Sequence, residues 1–61
     1  MAAITTKELG SINDCLTHEQ NIISKLKSYA ETTSDTALKQ KYEEAVNRHT
    51  QHFNALYALL K

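Results

Sequence analysis

Apolar residues recur in steps of three and four along two stretches of this chain, and the stretches are separated by a short run of hydroxyl and acidic residues. The first stretch carries Leu9, Ile12, Leu16, Ile23, Leu26 and Ala30, with Glu19 at the one step that lacks an apolar side chain. The second carries Leu38, Tyr42, Ala45, His49, His52, Leu56 and Leu59 in unbroken alternation. A repeat of this kind places one stripe on one face of an α-helix and is incompatible with the two-residue period of a strand. The absence of proline and the single glycine, Gly10, remove most turn and hairpin signals as well. The fold class expected is therefore all-α.

The boundaries can be read from capping chemistry. Thr5-Thr6-Lys7-Glu8 has the form of a capping box, in which the Thr5 hydroxyl and the Glu8 carboxylate each satisfy the other residue's backbone N–H, so a first helix is expected over about residues 6–32. Thr32-Thr33-Ser34-Asp35 favours a turn, because these short polar side chains compete for backbone hydrogen bonds. Asp35 is suited to cap a second helix over about residues 36–60, which leaves a loop at about 33–35 and a single domain, 1–61. Gly10 costs about 1 kcal/mol relative to Ala in the first turns, and it reads either as a close backbone contact or as having no packing role.

Two helices of this length are rods of about 40 Å, and the short loop makes them an antiparallel hairpin. A hairpin alone would have a thin core. Of the 61 residues, 41% are apolar, and seven of these are Ala. A chain of this size buries only about 60% of its unfolded surface. Flanking columns, Cys15, Ile22 and Tyr29 on one helix and Val46, Phe53 and Leu60 on the other, also need cover. A two-fold dimer of hairpins forming a four-helix bundle is the simplest closed solution, and a tetramer or larger ring is the next.

Composition excludes several classes of function. Seven basic residues balance seven acidic ones, so electrostatic capture of nucleic acid or anionic lipid is not expected. The longest apolar run, Ala55 to Leu60, is far short of the roughly 18 residues a membrane span requires. One cysteine cannot form an intrachain disulfide, and Met1-Ala2-Ala3-Ile4-Thr5-Thr6 has no basic stretch ahead of an apolar one, so the expectation is a cytoplasmic chain without a signal peptide. No Ser–His–Asp or Cys–His pairing, phosphate loop or basic-aromatic stripe is present, so none of those classes is expected, and the balance leans away from an enzyme.

Chemistry concentrates at three polar seam positions. With the loop centred near Ser34, residues whose numbers sum to about 68 face each other, which sets Glu19 against His49, with His52 one turn further on. A carboxylate and two imidazoles placed in a seam must satisfy one another, a metal ion or water. Glu19, His49 and His52 thus form a candidate site for a divalent metal such as Zn, Fe or Mn, doubled to two Glu and four His in a dimer. Their other reading is a hydrogen-bonded cluster that sets helix register without an ion. His18 is expected as a flank residue and Cys15 as a small, half-buried apolar group. Tyr29, Tyr42 and Tyr57 read as packing residues, and Glu44 with Arg48 as a surface pair.

At His18-Glu19-Gln20, Tyr29-Ala30, Asp35 to Lys39 and Arg48-His49-x-x-His52-Phe53, the sequence resembles the small spore coat F-like proteins of endospore-forming bacteria, and the resemblance covers nearly the whole chain. It implies a ferritin-like four-helix bundle assembled from two hairpins, a place in the spore coat and other coat proteins as partners. In ferritin-like di-metal proteins the second helix of each half carries Glu-x-x-His. Glu19 matches the first-helix Glu and His52 the His, whereas His49 stands where the bridging Glu would be, so the resemblance carries the fold further than it carries oxygen-activating chemistry. The function expected is that of a non-catalytic structural or interaction protein. A metal-dependent redox or storage protein using Glu19, His49 and His52 from two chains is the alternative, and a helical adaptor presenting its flanks to another protein is a third reading.

Overall fold

In the computed structural model, which describes residues 4–60, two α-helices pack as an antiparallel hairpin: α1 spans Thr6–Thr32 and α2 spans Thr36–Ala58. Met1, Ala2 and Ala3 of the segment inspected for a signal peptide, and Lys61 at the far end, lie outside the described residues.

Local chemistry accounts for each boundary. The Glu8 amide donates to Thr5 Oγ1 at 3.1 Å while the Thr5 amide donates to Glu8 Oε1 at 3.0 Å, closing the capping box reciprocally. α1 stops where Thr33 turns extended, with φ −77° and ψ 139°, and its N–H closes on the Tyr29 carbonyl. The Asp35 amide donates back to Thr33 Oγ1, and the Leu38 amide donates to Asp35 Oδ1 at 3.0 Å, so the loop both ends one helix and starts the next. At the far end α2 gives way after Ala58 to i→i+3 bonds, from the Leu59 amide to Leu56 O and from the Leu60 amide to Tyr57 O. This tightened final turn is how unsatisfied carbonyls at a helix end are often used, and it ends the helix two residues before the expected 60.

The hairpin is one layer thick, with extents of 47 × 17 × 11 Å. Its radius of gyration of 14.5 Å exceeds the ~10.5 Å of a compact domain of the same length. Its accessible surface, 4774 Å², likewise exceeds the ~4,000 Å² of a folded monomer of its mass. Among the described residues only Leu16 and Ala30 are buried.

The helices are rolled relative to the stripes read from spacing. On α2 the half-buried residues are Tyr42, Ala45, Val46, His49, Phe53 and Leu56, whereas Leu38 and His52 are exposed; just past its end Leu59 is exposed and Leu60 half-buried. On α1 Ile22 is half-buried beside Ile23, and Leu9 is exposed. Turning Val46 and Phe53 into the seam and His52 out of it favours burial of the more apolar side chains. The two flanking columns consequently border different broad faces. Cys15 lines a cleft with His52, Ala55 and Leu56, while Val46 and Phe53 line two clefts that share Lys27.

Other expectations resolve individually. A Cβ added at Gly10 would meet nothing within 4 Å, so no close contact explains the glycine. Tyr29 packs on Tyr42 with ring centroids 5.6 Å apart, and Phe53 stacks on Tyr57 at 6.2 Å. Glu44 pairs with Lys41 at 3.6 Å rather than with Arg48. Cys15 is exposed rather than half-buried, because it lies at the edge of the seam, where it lines a cleft, and not within it. No helix among the described residues is long and apolar enough to cross a membrane.

Candidate metal centre

Glu19 is the central residue of α1, and the three-residue loop sets the register that brings it against α2. The Nδ1–H of His49 donates to both carboxylate oxygens, at 2.8 Å to Oε2 and 3.1 Å to Oε1. A carboxylate only accepts, so this contact fixes the proton of His49 on Nδ1 and leaves Nε2 facing away from Glu19. His52 lies one turn further along α2, its Nδ1 3.8 Å from Glu19 Oε1, a distance for charge attraction rather than a hydrogen bond. The two imidazoles meet edge to face, with centroids 5.3 Å apart and planes at 82°. The sequence-predicted convergence of Glu19, His49 and His52 is present.

Exposure is graded across the cluster. The Glu19 side chain is 12% exposed, that of His49 25% and that of His52 54%. The cluster thus has a closed end in the seam and an open end at one broad face, the face bordered by Cys15. Asp14 and His18 line the same cleft. Asp14 went unread in the sequence although it stands one turn before His18, a spacing that puts both on one side of α1.

The hydrogen bond from His49 holds the Glu19 carboxyl below its ordinary value of 4.5; desolvation opposes this, and the nearby charges of His49, His52 and His18 reinforce it. The folded state therefore favours the carboxylate more than the unfolded chain does. This contribution to stability is fully present above about pH 4.5 and is lost as pH falls through the lower folded value. Glu8 behaves alike through its bonds with the Thr5 backbone and side chain. The urea midpoint is expected to fall between pH 6 and pH 3, and Glu19→Gln is expected to flatten that dependence to the part owed to Glu8. A wild-type slope retained in the variant would locate the acid sensitivity elsewhere.

One donor atom from each of Glu19, His49 and His52 can be chosen so that all three lie within 4.8 Å of one another, close enough to hold a metal ion. A tetrahedral ion with bonds of about 2.0–2.1 Å separates its ligand atoms by roughly 3.3 Å, so the 2.8 Å His49–Glu19 contact would open slightly as an ion replaced the bridging proton. One carboxylate and two imidazoles suit zinc and the neighbouring divalent first-row metals. No protein-family model matches the chain, and neither a curated protein nor a solved structure matches it.

Proposed function

We propose that this chain is a non-catalytic structural protein, one half of a four-helix bundle that a second copy completes. The observation that carries the reading is the single-layer slab of 47 × 17 × 11 Å in which Leu16 and Ala30 are the only described residues buried. One broad face, 47 by 17 Å, is about the ~800 Å² that each partner contributes to a standard stable interface. Glu19 with His49 and His52 holds the register that the short loop allows, in the way a polar residue at a seam position restricts a coiled coil to one alignment. The resemblance to spore coat F-like proteins gives this ferritin-like half-bundle its setting, the spore coat, with other coat proteins as further partners.

Sedimentation equilibrium over a hundredfold range of concentration tests the reading. A mass that rises towards twice 6.9 kDa is expected, together with a melting temperature that increases with concentration. A folded species that stays at 6.9 kDa throughout would overturn it. The second reading, a metal-handling or redox protein, is favoured by the donor atoms of Glu19, His49 and His52 lying within 4.8 Å. Turnover of a metal-loaded sample would support it over the purely structural one.

A further inference from the structure

We infer that Glu19, His49 and His52 form half of a shared divalent-metal site, completed by the same three residues of a second copy stacked on the face where His52 is exposed. The inference rests on the half-bundle reading and adds to it which face pairs and what lies at the centre.

Three observations point to that face. The cluster opens there and not on the other, since Glu19 and His52 line the cleft beside Cys15, while the clefts that share Lys27 contain no cluster residue. At about 100° of rotation per residue, Tyr29 falls on the same side of α1 as Cys15, and Leu59, the cap residue after α2 with helical φ −67° and ψ −16°, falls on the side of His52. Tyr29 is 49% exposed and Leu59 46%, so this face presents apolar surface towards both ends of the rod with the cluster between them.

Position along the rod is the deciding feature. Glu19 divides α1, Thr6–Thr32, into equal halves. A two-fold axis that lays one hairpin fully over another passes through the rod's middle if it crosses the helices, and it preserves height if it runs along them. Either way the Glu19 and His49 side chains of the two copies meet, and the His52 side chains, one turn off centre, stay level with each other when the axis runs along the helices. A cluster nearer one end would be separated from its mate by twice its offset in the crossed arrangement. The central placement removes that separation.

Charge then selects the occupant. Two Glu19 carboxylates brought together in a drying interface repel, and one divalent cation cancels their charge. It forms a neutral set with the two carboxylates and finds up to six donors, four nitrogen and two oxygen, a set that favours zinc and its first-row neighbours over calcium or magnesium. His52, 54% exposed, is the member of the cluster that a second copy on this face would meet first.

The test uses untagged full-length protein, stripped with chelator and titrated with zinc chloride while binding heat and sedimentation are followed. Saturation at one zinc per two chains is expected, with the apparent dimerisation constant tightening by at least about tenfold as zinc is added. His52→Ala lies outside the hydrogen-bonded pair, so its helical circular dichroism should match the wild type. Its zinc affinity should fall by more than the ~10–100-fold that loss of an outer partner of a metal ligand costs. One zinc per chain without a change in mass would overturn the shared site, as would His52→Ala binding zinc like the wild type. A dimer that forms equally in chelator and in zinc would overturn the metal at the axis and leave the half-bundle standing. A chain that remains 6.9 kDa under every condition would remove both.

Discussion

Replacing Leu16 with Ala is expected to cost about 3 kcal/mol, and Leu9→Ala less than about 1 kcal/mol, when both are measured by urea denaturation at the same protein concentration. The two residues are the same type on the same stripe of α1, and they differ in burial. Leu16 is 9% exposed at the centre of the seam, whereas Leu9 is 42% exposed near the open end of the hairpin. Deleting Leu16, the larger of the two side chains buried among the described residues, leaves a void that a single layer of two helices has few neighbouring side chains to fill. Total stability for 61 residues is on the order of 3–9 kcal/mol, so the loss at Leu16 removes a third or more of it. Near-equal losses at the two positions would mean that Leu9 is covered in solution by something other than this hairpin.

Much of the fold was legible because its determinants are local. The capping box of Thr5 and Glu8 and the Asp35 cap need only neighbours three residues away, and the loop of Thr33, Ser34 and Asp35 is too short to permit any arrangement but an antiparallel one. The same short loop made the Glu19–His49 contact legible across 30 residues, since register propagates along stiff rods. The roll of the helices was not legible. Spacing gives the centre of a stripe to within about a third of a turn, and within that range the outcome depends on which side chains gain most from burial. Val46 and Phe53 outbid His52, which is why His52 is the exposed member of the cluster and why the Cys15 column borders one face while the Val46 and Phe53 column borders the other. The presence of Asp14 and His18 in the same cleft follows from that roll and from no motif.

Removing the Glu19 carboxylate and removing the whole cluster should have opposite effects on stability. Glu19→Ala takes away both acceptor oxygens of His49 Nδ1 and the charge that attracts His52, and leaves the half-buried His49 imidazole with no carboxylate to accept from it. Its melting temperature should fall. The triple variant Glu19→Leu, His49→Leu and His52→Leu leaves no polar group behind and fills the central layers with side chains that need no partner. Replacing a polar pair withdrawn from water, as Glu19 and His49 are, by apolar residues of similar volume is commonly neutral or stabilising, so the melting temperature should rise, on the order of 10 °C for a domain of this size. What the triple variant should lose is singleness of structure. With leucine at every central position, neighbouring alignments of the helices differ little in buried area, and the hydrogen bond that distinguishes them is absent. The expected signature is a higher melting temperature together with broadened amide resonances or several masses in sedimentation. A triple variant less stable than Glu19→Ala would show that the cluster contributes net stability, and one that is both more stable and uniformly assembled would show that alignment is set by the apolar seam alone.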